Sequence, residues 1–246
     1  MTVRQKKCLR RIIIIVLAVI LAIAAAFLIY TGEYYHADTI ANTALISRSS
    51  VTVSKLGDDL VFTPAGGASD GLIFYPGGKV EYTAYAPLMH RIAEQGIQCV
   101  LVKMPFNLAV LDISAADGIA AEFPEISSWY IGGHSLGGTM AASCAAGHTG
   151  EFSGMILLAS YSTADISGSG LKVLSMYGTR DGVLNMDSYQ KNRPNLPADA
   201  DEIVINGGNH AGFGSYGVQS GDGTADITAA EQMEITASAV AGFISE

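Results

Sequence analysis

The chain's possible folds are constrained most by an alternation of short, continuous apolar runs with helix-length segments, repeated from Gly71 onward. "GLIFYPGG" (71–78) predicts a strand entering a Pro-Gly-Gly turn, and "YAPLMHRIAEQG" (85–96) has amphipathic-helix spacing. "IQCVLVKM" (97–104) is a second apolar strand, "SAADGIAAEFP" (114–124) a helix ending near Pro124, and "SWYIGG" (128–133) the next strand. A helix of small residues, "LGGTMAASCAAG" (136–147), leads to the strands "FSGMILLAS" (152–160), "LKVLSMYG" (171–178) and "DEIVING" (201–207). Strands that are apolar throughout must be covered on both faces. Helical connections between them place the coverings, so the pattern predicts a mostly parallel sheet flanked by helices, an α/β fold. Upstream, "SVTVSKL" (50–56) and "DLVFTPA" (59–65) predict a small hairpin across Gly57 and Asp58.

The N-terminal end differs. Arg4, Lys6, Lys7, Arg10 and Arg11 precede an uncharged run from Ile12 to Ile29, 18 residues. As a helix this run is roughly 27 Å long, and Tyr30 and Thr31 bring it to about a bilayer core's thickness. The organisation expected is a basic cytoplasmic segment (1–11), a transmembrane signal anchor (12–31), a stalk or leading helix (32–50) and one folded domain (51–246). The basic flank holds the N-terminus inside and sends the rest across the membrane, so the chain is expected to be a single-pass membrane protein with its domain on the extracytoplasmic side. The small residues of "AIAAA" keep open the alternative of a cleaved signal and a secreted domain. The lipid bilayer is thus one expected partner.

Composition narrows the function. The formal net charge is −9, and residues 12–246 alone carry nine basic against 23 acidic side chains, a net −14 that opposes a nucleic-acid partner. There are three cysteines. Cys8 lies before the apolar run and reads as a free juxtamembrane thiol, while Cys99 and Cys144 sit in apolar strings and read as core thiols. No Cys-x-x-Cys pair or clustered histidines point to a metal.

The chemistry concentrates at three expected strand ends. Gly133, Ser135 and Gly137 in "GGHSLGG" make a Gly-x-Ser-x-Gly spacing between a strand and a helix, where a nucleophile sits on a strained turn and flanking side chains would strike the crossing backbone. The competing reading is a purely structural turn. A dinucleotide fingerprint fits poorly so late in the chain, and no Gly-Lys-Ser/Thr ending supports a phosphate loop. Asp181, just past a strand in "GTRDG", can orient a histidine. An Asp-Gly turn is its alternative role, with Asp187 and then Asp165 as fallback acids. His210, in the glycine-rich "GGNHAGFGSYG", is the base. His36, His90, His134 and His148 are worse placed, near the stalk, on a helix, beside the nucleophile and at a helix end. The order Ser135, Asp181, His210 is that of a triad on one hydrolase scaffold. The N–H of Leu136 is one expected oxyanion donor and that of Gly78, or alternatively Lys79, the second. Lys79 and Glu81 pair with each other or line the pocket. Asp222 and Asp226 in "GDGTAD" suggest an acidic turn, with helix capping preferred to cation binding.

Together "YPGGKVE", "GGHSLGG", "GTRDG" and "GGNHAGFGSYG" resemble the α/β-hydrolase superfamily, in particular compact bacterial hydrolases, over roughly residues 50–246. The resemblance implies a serine hydrolase, carboxylesterase-like, with a Ser-His-acid triad and no cofactor, acting on small or medium acyl esters or related acyl compounds. The segment 160–171 is too short for the long cap of many lipases. That leaves a modest open site, roofed by "MPFNLAVLD" and the stalk. Acyl transfer to an alcohol, and an interaction protein on an inactive hydrolase scaffold, are the alternatives.

Overall fold

The computed structural model describes residues 3–148 and 150–246. The side chain of Cys8 lies outside the described residues. Two compact units are present, Met1–Tyr34 and Tyr35–Glu246.

The first unit is helix α1 (Val3–Gly32), whose stretch Leu9–Gly32 contains an 18-residue window with a mean hydropathy of 3.5 and no buried residue. A helix of this length and composition fits either a membrane span or a signal sequence.

The second unit is built on eight strands: β1 (Val51–Leu56), β2 (Asp59–Pro64), β3 (Asp70–Tyr75), β4 (Gln98–Leu101), β5 (Ser128–His134), β6 (Gly154–Leu158), β7 (Lys172–Gly178) and β8 (Asp201–Ile205). They form one sheet in the order β1-β2-β4-β3-β5-β6-β7-β8. β1 pairs antiparallel with β2 and β2 antiparallel with β4, and every other pairing is parallel. The hairpin and the parallel sheet therefore form where the apolar pattern predicts them.

Successive side chains of a strand point to opposite faces, and β3 shows how both are filled. Leu72 and Phe74 join a core with Leu88, Met89 and Val240, from α3 (Ala86–Glu94) and α6 (Ala229–Ser245). Ile73 and Tyr75 join another with Ala141, Ala142 and Cys144 from α4 (Leu136–Gly147). All but the first residue of β3 is buried, at about 1.5–3 kcal/mol per large apolar side chain. Cys99 and Cys144 are buried free thiols. A capping box between Thr228 and Glu231 starts α6.

Two expectations about connections change. Residues 114–124 form no α-helix: they are turns ending in a short 3-10 piece, Ala120–Glu122. The backbone is diverted by tertiary hydrogen bonds, since the Ala116 N–H donates to the Tyr75 hydroxyl (2.8 Å), which itself donates to the Ile113 carbonyl (2.9 Å). Gly118 completes the break with a left-handed φ of +79°. Residues 35–50 carry the expected leading helix as α2 (Thr39–Ala44), capped by Asp38, with Ala41 and Ala44 buried. Asp38 also donates its N–H to the Ser215 carbonyl (2.9 Å), and Tyr35 bridges to Val80. These contacts make residues 35–50 part of the folded unit.

Candidate active site

Ser135 sits between the end of β5 and the start of α4, with φ 51° and ψ −123°, a conformation that costs an L-residue energy and is held only by its surroundings. Its N–H donates to Leu158 O (2.9 Å), and its carbonyl accepts from the Ser160 hydroxyl (2.7 Å). The flanking glycines are enforced by close backbone approach. A Cβ on Gly133 would lie 2.6 Å from the Tyr75 carbonyl oxygen, and one on Gly137 would collide with the carbonyl oxygens of Tyr75 and Pro76.

His210 follows β8, and Asp181 follows β7. The His210 Nδ1 and the Asp181 Oδ2 are 2.9 Å apart, with side chains only 1% and 2% exposed. The other Asp181 oxygen accepts the N–H groups of Val183 (2.9 Å) and Leu184 (2.8 Å), which fixes the carboxylate. With Nδ1 donating to the acid, His210 presents Nε2 as its free nitrogen, and that atom is buried with no hydrogen-bond partner among the described residues. Ser135 and His210 line one cavity of about 270 Å³ with Leu136, Thr139, Ser160, Tyr161 and Leu184. A larger cavity, about 430 Å³, lies between α2 and α3 beside Arg48 and His90 and shares no residue with it. The smaller one holds the groups that can do acyl chemistry.

The fallback acids go elsewhere. Asp187 is exposed in the first turn of α5 (Met186–Asn192), and Asp165 accepts from the Ser167 hydroxyl (2.7 Å). His36 faces Glu81, His90 faces Glu94, and His148 faces Asp117 at 3.0 Å. Asp117, Cys144 and His148 approach one another closely enough to share an ion, yet their contacts are those of an ion pair, with the other His148 nitrogen on the Cys144 carbonyl (2.8 Å).

Leu136 is the first residue of α4, so its N–H has no intrahelical acceptor. The turn after β3 packs against it: a Cβ on Gly78 would lie 2.8 Å from Leu136 Cδ2. The Gly78 N–H bonds to no backbone acceptor among the described residues, whereas the Lys79 N–H is taken by the Asn107 carbonyl (2.8 Å). Of the two alternatives for the second donor, the open group is therefore Gly78. Glu81 accepts from the Ala37 N–H and the Thr83 hydroxyl, both at 3.0 Å.

Two contributors are not visible in the motifs. Asp222 is neither a helix cap nor part of a cation loop: Thr228 caps α6, while the Asp222 carboxylate accepts from the N–H groups of Gly182 (3.0 Å), His210 (3.2 Å) and Ala211 (2.8 Å). It thereby ties the Asp181 loop to the His210 loop. Asp226 pairs instead with Arg180 (2.7 Å). The second contributor is Tyr85, whose hydroxyl accepts the Gly77 N–H (3.1 Å) and lies 2.8 Å from His134 Nδ1. The His134 ring lies 4.5 Å, centroid to centroid, from that of His210, tilted by 51°. Burial first, and then the neighbouring His210, push the His134 pKa well below its ordinary value, so this imidazole stays neutral. The sequence marks Asp222 only as part of an acidic turn, and nothing in it marks Tyr85.

Residues 71–234 match the alpha/beta hydrolase family, and the chain belongs to that family. No curated protein matches it. Among solved structures it is similar to Est1E from Butyrivibrio proteoclasticus with ferulic acid bound, at 12% identity and a TM-score of 0.59, over 82% of this chain and 99% of that one. It is also similar to TT1662 from Thermus thermophilus, at 15% identity and a TM-score of 0.58, over 79% and 97% of the two chains. At these identities the likeness is one of fold.

Proposed function

We propose that the protein is a serine hydrolase that cleaves carboxylic esters, or related acyl compounds, through an acyl-enzyme. The observation that carries this reading is the buried 2.9 Å pair of His210 and Asp181, whose His210 lines the cavity that also holds Ser135 on its strained turn. Ser135 Oγ attacks the acyl carbonyl as His210 Nε2 takes its proton, and Asp181 holds the imidazole in the tautomer that leaves Nε2 free. The N–H groups of Leu136 and Gly78 receive the oxyanion. His210 then protonates the leaving alcohol and activates the water that releases the acid. The reaction needs no cofactor.

A cavity of about 270 Å³ is small for a binding site and favours small or medium acyl groups. The ferulic acid held by Est1E makes esters of small aromatic acids a reasonable first set to screen. In this reading α1 is an uncleaved anchor, with residues 1–11 inside the cell and the hydrolase unit outside. Protease treatment of intact cells should then remove a C-terminal tag and spare an N-terminal one.

The decisive experiment is labelling with a fluorophosphonate. One adduct is expected on Ser135 by peptide mapping, and none on a folded Ser135→Ala variant. A folded wild-type protein that stays unmodified would refute the enzyme reading.

A further inference from the structure

The chain enters the folded unit at the rim of the nucleophile's turn. The Tyr35 N–H donates to the Lys79 carbonyl (2.8 Å), and the Glu81 N–H donates to the Tyr35 carbonyl (2.8 Å). Lys79 follows Gly78, which lies against Leu136, the neighbour of Ser135. Two segments hydrogen-bonded to this entry point carry exposed apolar side chains. Phe106, Val110 and Leu111, 52%, 50% and 48% exposed, belong to the loop whose Asn107 carbonyl accepts the Lys79 N–H. Val218, 90% exposed, lies two residues before Ser220, whose N–H donates to the Tyr35 hydroxyl (3.0 Å). Phe106 and Asn107 hold left-handed φ values of 53° and 56°, a cost that the loop sustains while presenting its apolar groups outward.

Resting on the anchor and hydrolase readings above, we propose that this apolar rim lies in the interfacial layer of the bilayer, and that the substrates are esters presented at the lipid surface. The argument is covalent. Only Glu33 and Tyr34 separate the end of the apolar helix at Gly32 from Tyr35, and three such steps span at most about 11 Å. The interfacial layer on each side of a hydrocarbon core is itself about 5–7 Å thick. A bilayer spanned by residues 12–31 therefore stays within reach of Tyr35 and of the side chains around it. Tyr30, Tyr34 and Tyr35 supply the amphipathic rings that favour this layer. Residues 12–246 carry a net −14 and gain nothing from anionic headgroups, so burial of apolar side chains is the term that holds the rim down.

The test uses the full chain with Cys8→Ser, reconstituted in phosphatidylcholine vesicles containing lipids with brominated acyl chains. A fluorophore is placed at Val110→Cys, at Val218→Cys or, as a control, at Lys172→Cys on the exposed first residue of β7. Quenching at 110 and 218 is expected to exceed that at 172 by about threefold, and equal quenching at the three sites overturns the proposal. Val218→Asp should slow hydrolysis of a vesicle-borne ester of a short acyl group with a long-chain alcohol about tenfold and leave that of a water-soluble acetate ester unchanged. Equal effects on both esters would overturn the substrate class. Failure of the wild-type chain on both esters would sink the hydrolase reading alone, because quenching still reports the apposition. A cell-derived chain that has lost α1 would remove the anchor and overturn the apposition, and fluorophosphonate labelling would still test the enzyme.

Discussion

Two connections leave the sheet close to one another, and they are built on opposite principles. The turn from β5 into α4 is fixed by exclusion. Side chains on Gly133, Gly137 or Gly138 would strike the backbone of Tyr75, Pro76 or Gly133, so one residue type fits and the sequence carries it. The connection from β4 to β5 is shaped by groups far away in the chain, above all the Tyr75 hydroxyl bonded to Ile113 and Ala116. A Cβ on its Gly118 would meet nothing within 4 Å. Close backbone approach writes itself into the local sequence. A side chain reaching over from another strand leaves no local trace, which is why residues 114–124 read as a helix and fold as turns.

The comparison can be broken most directly at Ser135. If the strained turn exists to present Ser135, Ser135→Ala should lower ester turnover by about 10⁶ without loss of stability. A smaller loss measured in steady-state assays would mean that the turn is structural. Next comes the acid. Asp181→Asn should cost about 10⁴ in kcat, since the histidine loses the partner that fixes its tautomer, while Asp187→Asn should stay near wild type. Reversed results would move the acid to α5.

Stability sharpens the same contrast. Gly137→Ala places a methyl group inside two carbonyl oxygens and should cost at least about 4 kcal/mol, or prevent folding. Gly118→Ala meets open space and pays only for its left-handed φ of +79°, about 1 kcal/mol. Urea midpoints of the two variants provide the measurement, and similar losses would show that the two connections are held alike.

The grouping of Ser135, Asp181 and His210 is legible because each stands just beyond an apolar run, and a parallel sheet gathers those ends on one edge. Ser135, Asp181 and His210 came together for that reason. Asp222 departs from its expected capping role: an Asp before a helix resembles a cap, but Thr228 takes that position. Its actual partners, the N–H groups of Gly182, His210 and Ala211, lie on two loops whose closeness is a tertiary fact. Residues 32–50 look from sequence like a stalk or leading helix ahead of the domain, whereas 35–50 pack into it. The two buried alanines of α2 are too small a signal to show otherwise.

The smallest expected effect compares two histidines, one at the β5–α4 turn and one, after α4, paired with the β4–β5 connection. His134, at the end of β5, is buried, and its pKa is held well below the ordinary 6.5, by burial first and then by His210. Between that depressed value and 6.5 the unfolded chain binds a proton that the folded chain refuses. Its contribution to stability is therefore complete above about pH 6.5 and is lost progressively as the pH falls. His148, paired with Asp117 of the β4–β5 connection, behaves oppositely. The Cys144 carbonyl, and then Asp117, raise its pKa, so its contribution is complete below 6.5 and lost as the pH rises through the raised value. Because His148 is largely open to solvent, screening keeps that second contribution small. Urea midpoints between pH 5 and 8 should show an acid-side slope that flattens in His134→Gln, and only a slight alkaline-side change in His148→Gln. NMR titration of the ring carbons should find His134 neutral throughout that range. An acid slope unchanged in His134→Gln would place the sensitivity outside the nucleophile's turn, and the energetic contrast between the two connections would then rest on the glycines alone.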